Sequence, residues 1–167
     1  AKYISIDPYA NAFNEKPNDH GHKKDITFRS PWVWERKYEV DSLCAVIALP
    51  YKLYKVTGKT EFFDAQLKNA FEIIANLWIK EQKHEELSDY SFYRKTTREV
   101  DNMPNGGKGN PVGYTGMTWS GFRPSDDACK YNYLIPSEMY AVVTLRYLQE
   151  MAREVYKDET LAKKAEK

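Results

Sequence analysis

Apolar positions fall into helical spacing in three stretches of the chain and into no regular spacing between them. From Arg36 to Val56, Leu43, Val46, Ile47, Leu53 and Tyr54 recur at three- and four-residue steps, the signature of one buried helix face. Pro50 lacks an N–H and crowds the carbonyl one turn back, so it predicts a kink or a division there, and Gly58 predicts the end. Thr60 is the expected N-cap of the next helix, with Glu61 favourable at its positive end. Its stripe of Phe63, Leu67, Ala70, Phe71, Ile74, Leu77 and Trp78 carries it to about Glu85. These two predict an antiparallel helical hairpin. Pro136 suits a first helical position and opens a helix to about Lys157. That helix has two adjoining stripes, Val142, Leu145, Leu148, Ala152, Val155 and Tyr140, Val143, Tyr147, Met151, which predict burial on more than one side. A short helix is expected within 158–167.

Residues 1–34 and 86–136 read differently, being dense in Asp, Asn, Pro and Gly. "DYSFYR" has the makings of a short strand, and "NMPNGGKGNPVGYTG" is loop by its turn chemistry. So long a stretch without periodicity predicts a functional surface. No pattern predicts a central sheet. The expected class is all-α, with helical hairpins whose long loops gather rings and carboxylates, a character shared by helical bundles and barrels. The helices' apolar faces are broader than three or four helices can bury. Residues 1–167 are therefore expected to be a single segment of a larger domain.

The charge balance, 25 basic against 24 acidic residues and +1 overall, gives no reason to expect nucleic acid or an anionic membrane as partner. No apolar run is long enough to span a bilayer, and no charged-then-apolar leader opens the chain. Cys44 and Cys129 form no disulfide framework; Cys44 lies in an apolar helical run and is expected as a buried thiol, while no histidine is near Cys129 to make it a nucleophile. Reduced cysteines and the missing leader favour the cytoplasm as the compartment. Aromatic content is 14%, with 13 tyrosines. Two readings stand: tyrosines covering a core whose edges are wet, or a cleft for a ligand with apolar faces and hydroxyls, such as a sugar.

Among groups that carry chemistry, His20 and His22 form an HxH pair and His84 stands near a helix end, short of the convergent ligands a metal requires. No phosphate or dinucleotide loop is present, and no cofactor is implied. "SPWVWERKYEVDSL" places Trp34, Glu35 and Arg36 together; they suit either a packed helix entry or a cleft wall offering donors and acceptors to a polyol. "GFRPSDDACKY" sets Asp126 beside Asp127, close after Arg123. Aspartates are favoured in turns and caps. Two adjacent partly buried carboxylates also repel, which suits one of them to hold a proton while Arg123 keeps the other ionised.

"TGMTWSGFRPSDDACKYNYLIPSEMYAVV" resembles the signature of glycoside hydrolase family 125, and "IDPYANAFN", "SPWVWERKYEVDSLC" and "SDYSF" resemble further blocks of that family in the same order. The resemblance implies an exo-acting, inverting, metal-independent α-1,6-mannosidase on an (α/α)6 barrel that is incomplete in this chain. It implies Asp126 as the general acid, with Trp119, Arg123, Ser125 and Asp127 around the terminal mannose, and more weakly Trp34, Glu35 and Arg36. Its partners would be α-1,6-linked mannosides, such as N-glycan or mannan fragments, with no metal or cofactor. An inverting enzyme needs a second carboxylate roughly 6.5–9.5 Å from the acid. The resemblance puts that base outside these residues, so the segment alone is expected to be inactive. The alternatives are a non-catalytic carbohydrate-binding helical module and a helical interaction domain.

Overall fold

The computed structural model describes residues 1–167. The chain is helix-rich, and its only sheets are two-stranded pairs. It divides into two compact units, one formed by Ala1–Pro8, Val40–Ile79 and Ile135–Lys167, the other by Tyr9–Glu39 and Lys80–Leu134. No helix is long and apolar enough to cross a membrane.

The first unit contains α1 (Lys2–Ile6), α2 (Val40–Thr57), most of α3 (Ala65–Glu81), α6 (Ile135–Glu154) and α7 (Glu159–Lys164). The short α1 lies where the sequence predicts only irregular chain. α2 packs closely along α6, a helix far along the chain, and α7 packs on α6 as well. Small residues allow this. Ala48 on α2 and Ser137, Ala141, Thr144 and Ala152 on α6 are all buried, beside Ile47, Leu148 and Met151. Helices approach closely where their facing side chains are small. Thr144 donates to the Ala141 carbonyl at 3.0 Å, which satisfies its buried hydroxyl within the helix. The buried face of α6 thus runs between the two predicted stripes, and Val142 and Val143 are exposed. Burial pushes the Cys44 thiol up to about 12, against a smaller opposing effect of a hydrogen bond with Thr144. Tyr51 stacks on Tyr147 at 3.9 Å and donates to Glu150 at 2.7 Å, while Lys55 pairs with the same carboxylate at 2.8 Å.

Helix ends depart from the predicted ones for local reasons. α2 starts at Val40 rather than Arg36, because the Arg36 carbonyl accepts from the Tyr90 hydroxyl at 2.8 Å and the Tyr38 carbonyl from the Phe122 N–H at 2.9 Å. Those carbonyls are unavailable for a helical ladder. Pro50 sits inside α2 without dividing it. α3 starts at Ala65 because Asp64, not Thr60, caps it, accepting from the Leu67 N–H at 2.7 Å. It ends at Glu81, before the separate turn α4 (His84–Leu87).

In the second unit β1 (Ala12–Phe13) pairs antiparallel with β3 (Val33–Glu35), and β2 (Asp25–Ile26) with β4 (Tyr93–Arg94). The last of these falls within "DYSFYR", as predicted. A 3₁₀ turn (Glu99–Asp101) and the single turn α5 (Pro104–Gly107) follow. Gly107 lies against the Phe92 backbone so closely that a side chain there would meet the Phe92 carbonyl. The core of this unit is aromatic: Tyr9, Tyr38, Tyr90, Phe92, Trp119 and Phe122 are all buried.

Leu148→Ala is expected to cost about 2–5 kcal/mol through lost burial and the cavity left behind. Val143→Ala, 40% exposed, should stay within about 0.5 kcal/mol. Urea unfolding midpoints of the two variants check the assignment of the buried face.

Candidate active site

Asp126 sits in a hairpin loop whose geometry is set by its neighbours. Phe122 and Ala128 form an antiparallel bridge. Between them the Arg123 N–H donates to the Asp127 carbonyl and the Asp126 N–H to the Arg123 carbonyl, both at 2.9 Å. Pro124 presets the first corner, and Asp126 closes the loop with φ +65°. This is a three-residue hairpin turn whose last position is left-handed, a place glycine fills without strain. Aspartate tolerates it at some cost. A non-glycine residue held there is a reason to look for function.

The two aspartates are used differently. Asp127 Oδ2 accepts from Arg123 at 2.9 Å and from the Ser125 hydroxyl at 3.0 Å, so it braces the loop. Asp126 is exposed, and its Oδ1 accepts only from Asn11 Nδ2 at 3.3 Å, leaving Oδ2 without a protein partner. Its carbonyl is held from below by Lys37, whose ammonium donates to it at 2.7 Å. The Lys37 side chain is 2% exposed, and its ammonium lies 3.6 Å from the Asp101 carboxylate and 5.2 Å from the Phe122 ring centre.

Behind Asn11 lies a buried charge network. Asn11 Nδ2 also donates to Glu35 at 2.9 Å, and Arg94 donates to Glu35 at 2.5 Å and to both Asp25 oxygens at 2.6 and 2.9 Å. Burial alone would raise the Glu35 carboxyl. Hydrogen bonds from Arg94 and Asn11 and the charges of Lys37 and Arg94 outweigh it and hold the group below its ordinary range. His22 Nε2 stands 3.4 Å from the same carboxylate. No cluster of three or more His, Cys, Asp or Glu side chains is placed to hold a metal ion.

A second cluster supports the loop's entry strand. Glu81, fully buried, accepts from Tyr9 at 2.5 Å, Ser88 at 2.6 Å and shares 2.6 Å with His84 Nδ1. Burial and then the Glu81 charge push the Tyr9 hydroxyl far up, so it stays a donor. His84 stacks on Trp119 at 3.8 Å, and the backbone N–H of Trp119 donates to the Glu81 carbonyl at 3.2 Å.

The predicted site residues thus separate. Arg123, Ser125, Asp126 and Asp127 share one loop, and Glu35 is tied to it through Asn11. Trp34 points to the opposite face of β3 from Glu35 and is exposed beside His22. Arg36 is buried among Tyr9, Tyr90 and Phe28, its guanidinium 4.8, 5.2 and 5.8 Å from their ring centres. Trp119 has no exposed surface in this chain; its ring fills the aromatic core. Asn11, Lys37 and Arg94 escaped the sequence reading. Lys37 carries no pattern that separates it from a surface lysine, and Asn11 sits in a turn-rich stretch where asparagine is ordinary.

The family model described as metal-independent α-mannosidase (GH125) matches residues 1–167. The chain belongs to that family. A solved GH125 relative from Streptococcus pneumoniae, a metal-independent α-mannosidase in a non-productive complex with α-1,6-mannobiose, is 46% identical, with a TM-score of 0.95 over 99% of this chain. The meiotically up-regulated gene 157 protein of Schizosaccharomyces pombe is 31% identical over 162 residues, 86% of this chain. The chain spans 39% of the length of the first relative and 32% of the second.

Two outcomes test this geometry. Lys37→Met keeps the stem and removes the charge, leaving the Asp126 carbonyl unpaired and Asp101 with only Arg98, 4.0 Å away, and should cost about 3–5 kcal/mol in chemical denaturation. Because the Glu35 carboxyl is depressed in the folded state, its contribution to stability is complete above its ordinary value of 4.5 and drains away as pH falls below it. The penalty of Glu35→Gln, measured by unfolding across pH, should therefore be largest near neutrality and shrink in acid.

Proposed function

We propose that this chain carries the proton-donor half of an exo-acting α-1,6-mannosidase that works with inversion. The reading places the chain within a larger (α/α)6-barrel catalytic domain. The observation that carries it is the strained, exposed placement of Asp126, one oxygen held by Asn11 and the other open, on a loop braced by Asp127, Arg123 and Ser125. A carboxyl group so presented suits delivery of a proton to a glycosidic oxygen as the bond to mannose breaks. In this reading the second carboxylate, which activates water on the opposite face of the sugar, comes from residues outside 1–167. The mannobiose complex of the Streptococcus pneumoniae relative supports α-1,6-linked mannosides as the ligand class. Arg123, Ser125 and Asp127 surround the donor and are the residues proposed to meet the terminal sugar, with Glu35 acting behind them. Trp34, Arg36 and Trp119 are proposed to shape the site rather than to reach it.

In the full-length protein, Asp126→Asn should lower turnover of α-1,6-mannobiose by about 10²–10⁴-fold while leaving its binding largely intact. Proton NMR of the first sugar released should show β-mannose. Normal hydrolysis by the variant would remove Asp126 from its role, and α-mannose as first product would contradict inversion. Binding without turnover in the unaltered protein would favour a carbohydrate-binding module.

A further inference from the structure

Resting on that reading of Asp126, we propose that Asn11 is a positioning residue that decides which oxygen of the Asp126 carboxyl carries the transferable proton. The Asn11 side chain is fully committed. Its oxygen accepts the Lys37 N–H at 3.1 Å, and its nitrogen donates to Glu35 at 2.9 Å and to Asp126 Oδ1 at 3.3 Å. These partners fix the amide's orientation without ambiguity. A flipped amide would set its oxygen against the Glu35 carboxylate and its NH₂ against a backbone N–H, two repulsive contacts in place of attractive ones. Glu35, itself anchored by Arg94, therefore determines where the second N–H of Asn11 points.

That N–H is aimed at Asp126 Oδ1. A proton on Oδ1 would compete with it, so the neutral carboxyl carries its proton on Oδ2. Oδ2 has no protein partner and lies on an exposed side chain, where a leaving-group oxygen can approach. The backbone of Asp126 is meanwhile pinned by Lys37, so Asn11 needs to fix only the carboxyl's rotation. The other charges facing this group are Arg123 and Asp127 on its own loop, Arg98 at 4.0 Å from Asp127, and Asp101 beneath Lys37. None of them donates to Asp126 Oδ1. Asn11 alone performs that task.

The test compares leaving groups in the full-length protein. α-1,6-Mannobiose departs as a poor leaving group that needs a proton, whereas an aryl α-mannoside with a dinitrophenolate leaving group departs without one. Asn11→Ala, which removes the donor, should lower kcat/KM on mannobiose by about 10–100-fold through kcat, with less than about a 3-fold loss on the dinitrophenyl mannoside. Asn11→Leu, which keeps the bulk but offers no donor, should show the same split and carries the test where the alanine variant fails to fold. Equal losses on both substrates, or none on either, would overturn the inference and leave Asn11 a structural residue. Asp126→Ala run alongside separates the two claims. Without a split for Asp126→Ala, the proton-donor reading falls and this inference with it. A split for Asp126→Ala but for neither Asn11 variant overturns this inference alone.

Discussion

The buried ammonium of Lys37 is the constraint from which the geometry of the Asp126 loop follows. A charge taken out of water must be met by acceptors, or the cost of burying it is several kcal/mol by the usual order of magnitude, roughly. Lys37 is met by a carboxylate from the 3₁₀ turn and a carbonyl from the hairpin loop, three segments that are distant in sequence. The requirement is mutual. The loop can present its carbonyl to Lys37 only in a backbone conformation that also sets the direction of the Asp126 side chain. The same lysine's N–H holds Asn11, so one residue fixes the loop through its ammonium and the neighbouring amide through its backbone.

The irregular stretches of the second unit are ordered by polar groups that rings shield from water. Tyr90 donates to the Arg36 carbonyl at 2.8 Å and receives the Tyr38 N–H at 3.0 Å, serving as a hydrogen-bonding spacer between backbones that no sheet connects. Glu81 does similar work for Tyr9, Ser88 and His84. The abundance of tyrosine is thereby explained in part. Tyr90 combines apolar bulk with a hydroxyl that joins two loop backbones, and Tyr9 with one that binds the Glu81 carboxylate, whereas Tyr114 and Tyr131 lie largely in solvent.

Periodicity made the long helices legible because each buries one side, and that requirement is written locally. α3 shows its stripe almost complete, from Ala70 to Trp78. The buried face of α6 was hidden because Ser137 and Thr144 look polar while being small enough to face a close neighbour. Helix starts were misplaced where a carbonyl is claimed by a residue far away, as Phe122 claims that of Tyr38. At the candidate site, the motif around Asp126 was legible as chemistry, with an arginine, a serine and two acids in one turn. The support beneath it was not. Nothing near Lys37 or Asn11 announces that the one is buried or that the other joins two carboxylates, since both facts arise only when separate loops meet.

The left-handed backbone of Asp126 also bears on how such a protein changes over time. Aspartate and glycine codons are a single base change apart, and glycine relaxes the turn that aspartate strains. Mutational drift at this codon therefore moves downhill in folding energy while erasing the carboxylate, and under the role proposed for Asp126 only selection for turnover opposes it. Lineages released from that selection are expected to keep the loop, its lysine clamp and its ring core, and to lose the carboxylate first. On the proposed role of Asp126, a glycine at this position in an otherwise intact sequence would mark a descendant that has given up hydrolysis with its fold unharmed.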